Sequence, residues 1–195
     1  MGVLRIHPPV LLLIAAFGVP EESVEIARKR AEEEFGPIAL ESEPYRFGDF
    51  TQYYAKEMAP DLLKRFWVFE NLIDAAKLPD IKLKTNDWEE EIGARLKAEG
   101  KSDAKRPLNL DPGYLDLGKL ILASTKDHAH RIYLDKGILA ETTLMYTQKR
   151  WISLPWTYND YKDEKSIAFF NRCRDYLYHR YEETGNLGPR RPAPK

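Results

Sequence analysis

The spacing of apolar residues predicts alternating strands and helices in the first 110 residues. Val10–Phe17 is a continuous apolar run of strand length, which is typical of a central strand covered on both faces. Glu21–Phe35 repeats apolar residues at helical spacing and begins with acidic residues, so it predicts an amphipathic helix. Ile38–Phe47 predicts a second strand, and Arg65–Leu72, with the aromatic and β-branched run Phe66–Phe69, predicts a third.

A capping pattern predicts where a second helix begins. The Asn86 side chain can cap the backbone, and Glu89, three residues later, can reach back to complete a capping box. Gly100 ends this helix, and a short strand over Leu108–Leu110 follows. The resulting order, strand, helix, strand, strand, helix, strand, is the ferredoxin-like split β-α-β arrangement.

The second half of the chain is predicted to be rich in hairpins. Asp111-Pro112 can begin a helix that continues to residue 122, and we expect that helix, although Leu120–Ala123 equally fits a strand. Period-two alternation over Asp127–Leu134 predicts a strand, and Asp135-Lys136-Gly137 predicts a three-residue hairpin loop. The return strand is Ile138–Thr147, and the register places three pairs opposite each other: Leu134 and Ile138, Arg131 and Glu141, His130 and Thr142.

These elements predict one α+β domain over residues 1–187. A shorter strand over Trp151–Leu154 follows the hairpin, and Asp163 can cap a final helix that Gly185 ends. We expect a mostly antiparallel sheet with a ferredoxin-like first half, a β-hairpin second half and three main helices. Residues 188–195, which are proline-rich and basic, are predicted to be a disordered tail.

Composition narrows the compartment and the classes of partner. The 30 basic and 31 acidic side chains nearly cancel, so the chain as a whole does not attract nucleic acid or an anionic membrane. The single Cys173 cannot form an internal disulfide, which predicts a reducing cytoplasm. Val10–Phe17 is too short for a membrane helix. Two glutamines beside so many charges are typical of a protein from a thermophile.

Several stretches carry a family resemblance: Phe35–Ile38, Asp49–Met58, Asn109–Leu115, Thr125–Leu134 and Pro155–Tyr158. They resemble the bacterial family called domain of unknown function 4416, over about residues 9–182. That family has no established activity, so the resemblance implies no catalytic residue, although some members carry a GTP-binding label.

The GTP-binding label can be compared with the sequence itself. Gly113–Leu120 matches the phosphate-loop spacing through its lysine, but Leu120 stands where a magnesium-binding hydroxyl belongs. The intervening residues are bulky and apolar, whereas a phosphate cradle needs exposed backbone amides in a tight turn. We therefore interpret this match as part of a buried element.

Two histidines offer an alternative of a different kind. His128 and His130 share one face of the predicted strand, about 7 Å apart, as paired metal ligands do in some β-barrel proteins. No glutamate follows at the spacing that a cupin requires, so a third ligand would have to come from elsewhere, such as Asp111. We predict no metal site, with this histidine pair as the alternative; the pair otherwise borders a polar cleft or hydrogen-bonds to Thr142.

A denser polar cluster surrounds the predicted hairpin. In the structural interpretation, Arg131 and Glu141 form a cross-strand ion pair. In the functional interpretation, His130 transfers protons because its ordinary pKa lies near neutrality, and Asp111 or Glu141 orients it or acts as a base. The predicted catalytic residues are therefore His130, Asp111 and Glu141, and the predicted ligand-binding residues are Asn109, Lys126, Asp127, Arg131 and Tyr54.

Two functional hypotheses follow from the sequence. The first is a cytoplasmic protein that binds a small anionic metabolite or nucleotide in a polar cleft, with catalysis left open. The second is a non-catalytic module that binds RNA or a protein through its final helix, where basic and aromatic residues alternate: Arg172, Arg174, Tyr176, Tyr178, His179, Arg180 and Tyr181. The sequence names no cofactor and no oligomeric state.

Overall fold

The computed structural model describes residues 7–51, 53, 57–59 and 61–187, and these form nine strands and four helices. The predicted tail at residues 188–195 and the predicted ligand-binding residue Tyr54 lie outside the described residues. In chain order the elements are β1 (Val10–Gly18), α1 (Glu21–Phe35), β2 (Ile38–Glu41), β3 (Tyr45–Arg46), β4 (Leu63–Ile73), α2 (Leu78–Ala98), β5 (Leu108–Leu115), β6 (Lys119–Ser124), β7 (Ile132–Asp135), β8 (Ile138–Thr147), β9 (Arg150–Ser153), α3 (Asn159–Lys162) and α4 (Glu164–Thr184).

The described strands form one antiparallel sheet in the order β2-β4-β1-β5-β6-β8-β7, with β3 beside β4 and β9 beside β8. The first four strands of that order have the ferredoxin-like arrangement, because β4 separates β1 from β2 and runs antiparallel to both. Along the chain, one hairpin joins β7 to β8 and a second hairpin joins β8 to β9. The predicted α+β class, with its ferredoxin-like first half and hairpin second half, is confirmed.

Strand β1 lies at the centre and is buried on both faces, as predicted. Leu12, Ile14 and Ala16 pack with residues of α1 and α2, whereas the alternate residues of β1 pack with α4. A strand alternates its side chains between two faces, so this one run contributes to both apolar layers. The sheet therefore lies between α1 and α2 on one side and α4 on the other.

Two of the three long helices have the predicted bounds because their terminal signals are local. Helix α1 spans the predicted residues and ends at Gly36, whose φ is 93°. The Asp163 carboxylate accepts a hydrogen bond from the Lys165 N–H at the start of α4, and Gly185 ends that helix in the left-handed conformation. No helix in the described part of the chain combines the length and apolar character needed to cross a membrane.

The predicted start of α2 at Asn86 is wrong, because the helix begins eight residues earlier at Leu78. Pro79 occupies its first turn, where a missing N–H costs nothing. Glu89 does not complete a capping box; its carboxylate accepts hydrogen bonds from the Leu110 N–H, at 2.7 Å, and from Arg106, also at 2.7 Å. Tertiary contacts thus use the side chain that the sequence pattern assigned to a helix end.

The predicted helix from Asp111 is also wrong, because β5 continues through Pro112 to Leu115. Pro112 lies opposite Ile14 of β1 and just outside the ladder with β6, which begins at Gly113, and a strand tolerates proline where a ladder ends. The Asp111 carboxylate does not cap a helix but binds a lysine of α2. The alternative strand over 120–123 is the one observed, as part of β6.

Two predicted strands are shorter than expected. Residues 38–47 form β2 and β3 with a break at Pro44, which has no N–H to donate to a ladder. The predicted strand over 127–134 begins only at Ile132, because the Arg131 N–H donates to the His128 carbonyl oxygen and closes a turn. His128 and His130 therefore lie on a turn rather than on one face of a strand, and His130 is not part of the β7–β8 ladder.

The β7–β8 ladder has the predicted offset over two pairs, but the predicted pairs Arg131–Glu141 and His130–Thr142 lie outside it. Ile132 pairs with Ala140, as the predicted register requires. Asp135 rather than Leu134 lies opposite Ile138, so the predicted three-residue loop is wrong. The connection has two residues, Lys136-Gly137, with φ of 52° and 79°, which is the conformation of a tight hairpin turn.

Candidate functional site

A cleft of about 530 Å³ lies beside β5, β6 and β8, with α2 and α3 contributing to its walls. Its volume is in the range of small-molecule sites. The described residues that line it include five cationic side chains and only three carboxylates: Lys64, Lys82, Arg106, Lys126 and Arg131 against Asp111, Glu141 and Asp160. Arg106 is paired with Glu89, which is not among these lining residues, so the described part of the cleft has one cation in excess, in a chain whose total charge is close to zero.

Lys64 and Asp160 form a buried ion pair in the cleft wall. Lys64 Nζ donates to Asp160 Oδ2 at 2.6 Å, and the Tyr45 hydroxyl donates to the same oxygen at 2.9 Å. The ammonium group also lies 4.4 Å from the centre of the Phe47 ring and 4.9 Å from that of Tyr161. Because aromatic faces attract cations, the lysine is held by both an opposite charge and its ring neighbours.

Asp111 is the centre of a second charged group, on β5. Lys82 Nζ donates to Asp111 Oδ1 at 3.3 Å and to the Leu110 carbonyl oxygen at 2.8 Å, and Asn109 Nδ2 donates to Asp111 Oδ2 at 2.7 Å. Asn109 and Asp111 reach the same cleft because residues two apart in a strand share a face.

Two opposed effects set the pKa of Asp111. Burial raises the pKa, but the positive charges of Lys82 and Lys64, together with the Asn109 hydrogen bond and the charge of Arg106, outweigh burial. The pKa therefore lies below its ordinary value of 3.8, and the group is an ionised carboxylate at neutral pH.

Arg131 and Glu141 form a third charged pair, with side chains 4% and 1% exposed. Arg131 Nε donates to Glu141 Oε2 at 2.8 Å, and its terminal nitrogens donate to the Ser124 hydroxyl at 2.7 Å and to the Tyr158 hydroxyl at 3.0 Å. The guanidinium plane is fixed by these bonds at the cleft wall. Arg131 thus makes the predicted ion pair and also lines the cleft.

His130 supports this pair rather than lining the cleft. Its Nε2 lies 3.1 Å from Glu141 Oε2, and its ring stacks on Trp156 at 4.8 Å between centres and on His128 at 5.8 Å. His128 does line the cleft. Within residues 7–51, 53, 57–59 and 61–187, no three or more His, Cys, Asp or Glu side chains form a group that could hold a metal ion.

The outer part of the cleft is aromatic. Lys126 Nζ donates to the Tyr53 hydroxyl at 3.3 Å and lies 5.0 Å from the centre of that ring. Tyr53 is 64% exposed and Tyr158 is 46% exposed, so both rings have large surfaces in contact with solvent. Asp127, a predicted ligand-binding residue, is exposed and is not among the described residues that line the cleft.

The structure therefore brings together five of the predicted site residues and leaves two outside the lining. Those at the cleft are Asn109, Asp111, Lys126, Arg131 and Glu141, and those outside it are His130 and Asp127. Sequence reasoning missed Lys64, Lys82 and Asp160. The first two precede the predicted starts of their strand and helix, and Asp160 lies in an aromatic segment that had no recognisable period.

Two basic side chains of the final helix, α4, are engaged in contacts within the protein. Arg174 Nε donates to the Leu117 carbonyl oxygen at 3.0 Å, and its guanidinium lies 3.9 Å from the centre of the Tyr146 ring. Arg180 donates to the Tyr176 hydroxyl and to the Glu70 carbonyl oxygen. These basic side chains hold α4 against the rest of the protein.

Comparison with known proteins gives one match. The family model described as a domain of unknown function, DUF4416, matches residues 8–177, a range that includes every described residue of the cleft. No curated protein and no solved structure matches the chain. The family resemblance inferred from the sequence is confirmed.

Proposed function

The chain belongs to the DUF4416 family, whose description names no activity, and from the cleft of this member we propose that the protein binds a small anionic metabolite. The observation that carries the proposal is Lys126, an exposed lysine of a cleft of about 530 Å³ whose ammonium group has no described carboxylate partner, whereas the other four described cations of the lining are each paired with a carboxylate. A bound anion would compensate that charge, and a partly enclosed site strengthens the attraction because water screens it less.

The cations of the cleft divide into two kinds. Lys64, Lys82 and Arg131 each bind a carboxylate of the cleft, and Arg106 binds Glu89 next to it, which fixes their positions before a ligand arrives. Lys126 is exposed, and the contacts described for its ammonium group are with the neutral Tyr53 side chain. We assign Lys126 as the main contact of the anionic group, beside the buried Arg131 guanidinium in the cleft wall, because charged hydrogen bonds to carboxylate or phosphate are the strongest of their kind.

The proposal concerns binding and does not specify a reaction. The catalytic roles predicted for His130, Asp111 and Glu141 stay predictions. Asp111 is ionised and can accept hydrogen bonds from a ligand, while His130 acts on the cleft through Glu141. A cytoplasmic location is part of the proposal, supported by the single buried thiol of Cys173. We do not propose the alternative of RNA binding through α4, because Arg174 and Arg180 are engaged in intramolecular contacts.

A thermal-shift screen tests the proposal directly. The purified protein is heated with inorganic phosphate, citrate, sugar phosphates, sugar acids and nucleoside monophosphates, with sodium chloride matched for ionic strength. A ligand present at ten times its Kd should raise Tm by about 3–6 °C by mass action. Failure of all these anions to raise Tm at millimolar concentration would overturn the proposal.

Matched lysine variants locate the binding site. Lys126→Ala should weaken the binding of any anion found in the screen by about tenfold, the effect of one charged hydrogen bond. Lys97→Ala is the control, because Lys97 is exposed on α2 and does not line the cleft. Equal affinities of the two variants, measured by isothermal titration calorimetry, would place the anion somewhere other than this cleft.

A further inference from the structure

The carboxylates of the cleft restrict the kind of anion that it can bind. Asp111, Asp160 and Glu141 line the same space as the cations, so ligand oxygens that approach them meet hydrogen-bond acceptors. Carboxylates accept hydrogen bonds and have none to donate when ionised. A ligand that satisfies both sets of side chains therefore needs hydrogen-bond donors as well as a negative charge.

Asp111 is the carboxylate best placed to receive such donors. Its side chain is 32% exposed, whereas those of Asp160 and Glu141 are almost completely buried. Lys82 donates to one oxygen of Asp111 and Asn109 to the other. Each carboxylate oxygen has two lone pairs, so each can accept a second donor from a molecule in the cleft.

The donors are better supplied by hydroxyl groups than by an ammonium group. Each carboxylate of the cleft already has a cation within 3.3 Å, so its charge is compensated. The rest of the polar lining includes seven side chains that both donate and accept, as hydroxyl groups do: Thr51, Asn86, Asn109, Ser124, Thr125, Thr157 and Asn159. This mixture matches a ligand with several neutral hydroxyls.

The aromatic residues add a surface for the carbon skeleton of such a ligand. Tyr53 and Tyr158 keep 64% and 46% of their surfaces exposed while their hydroxyls bind Lys126 and Arg131. The hydrogen bonds fix the rings beside the two cations. The C–H face of a sugar can pack on such a ring with its charged group next to the adjacent cation.

We propose that the cleft binds a polyhydroxylated anion, that is, a monosaccharide carrying a phosphate or a carboxylate. This assignment rests on the proposed anion-binding function and specifies its ligand class. Lys126 binds the charged group next to the Arg131 guanidinium, Asp111 and its polar neighbours bind the hydroxyls, and the two tyrosines contact the ring.

Matched ligand pairs test the class by isothermal titration calorimetry on the full chain. Ribose 5-phosphate and glucose 6-phosphate are compared with n-pentyl phosphate, and glucuronate with hexanoate, so that each pair shares a charge and differs in hydroxyls. At least one sugar should bind about tenfold or more tightly than its matched alkyl anion. If the two sugar phosphates bind more tightly than glucuronate, the charged group of the ligand is a phosphate. If glucuronate binds more tightly, the charged group is a carboxylate.

Other outcomes of this comparison overturn the assignment. Alkyl anions that bind as tightly as the sugars would show that the hydroxyls are not recognised, yet they would leave the anion-binding function standing. A nucleoside monophosphate that binds more tightly than ribose 5-phosphate would show that a base is recognised instead. No binding by any of these anions would overturn both proposals.

An Asp111→Asn variant separates hydroxyl recognition from charge. It removes one negative charge, so n-pentyl phosphate should bind at least as tightly as before, whereas the sugar phosphate should bind about tenfold more weakly. Equal losses for both ligands would overturn the role of Asp111. If circular dichroism shows that this variant is unfolded, Asn86→Ala, on α2 at the cleft, replaces it, with the same selective loss expected for the sugar and the same equal loss overturning the assignment.

Discussion

The buried pair of Lys64 and Asp160 allows a direct test of how the wall of the cleft is held together. The two residues are 3% and 2% exposed, and their charged atoms are 2.6 Å apart. Lys64→Met keeps an unbranched side chain one atom shorter and removes its charge. The Asp160 carboxylate would then be buried with the Tyr45 hydroxyl and without its counter-ion.

The expected loss in the free energy of unfolding follows from the burial of both partners. Removing one member of a buried ion pair costs about 3–5 kcal/mol, because the remaining charge is left in a medium of low polarity. For a chain of this size that loss lowers Tm by about 6–20 °C. Replacing both members, Lys64→Met with Asp160→Asn, should cost no more than about 2 kcal/mol, because no charge is orphaned and the asparagine oxygen still accepts from Tyr45.

Urea denaturation of the parent, the two single variants and the double variant, followed by circular dichroism, measures these free energies of unfolding. The double variant should be more stable than the sum of the single losses implies by at least about 2 kcal/mol. The reasoning is refuted if either single substitution costs less than about 1 kcal/mol, or if the two losses add to within about 0.5 kcal/mol.

Three further predictions concern single residues. Gly113→Ala should lower the free energy of unfolding in urea by more than about 3 kcal/mol, because a Cβ there would lie 2.2 Å from the Ile121 carbonyl oxygen. In the control Gly100→Ala, the added Cβ meets open space at a φ of 67°, so the loss should be about 1 kcal/mol. Equal losses in the two variants would contradict the predicted clash at Gly113. The lowered pKa of Asp111 means that its carboxylate contributes stability above its ordinary pKa of 3.8 and loses that contribution as the pH falls through the folded value. In the Asp111→Asn variant, Tm should therefore fall less steeply with decreasing pH below about pH 4 than in the parent protein. The same dependence of Tm on pH in both proteins would contradict this prediction. Burial raises the pKa of the Cys173 thiol, so a maleimide should label it only as fast as the protein unfolds, and rapid labelling of the native protein would show that the thiol is accessible.

The sequence predicted best those elements whose signals are local. Helix α1 and strand β8 have the predicted bounds, and α4 begins after the predicted cap Asp163, because apolar period, caps and glycine stops act within a few residues. The same local signals were wrong at Asn86 and at Asp111-Pro112. There a local capping pattern competed with long-range pairing, and the sheet and the packing of α2 prevailed.

The candidate site was predicted only as far as one hairpin could place it. Arg131 and Glu141 come together because each lies next to Ile132–Ala140, the outermost pair of the β7–β8 ladder, whose offset the alternation of the sequence defines. Lys64 and Asp160 are separated by 96 residues along the chain, and no local pattern relates them. Their pairing depends on the position of β4 in the sheet and on the way α3 packs against it.

By itself, the sequence determined the α+β class, the buried central strand, half of the described residues that carry charge into the cleft and one of their ion pairs, Arg131–Glu141. The tertiary structure decided the other ion pairs of the cleft and which charge faces open space. Periodicity is a property of neighbouring residues, whereas a cleft is formed by strand order and by packing between segments that are distant in the chain. A single strand can therefore be recognised from its own residues, but a binding site requires the whole sheet.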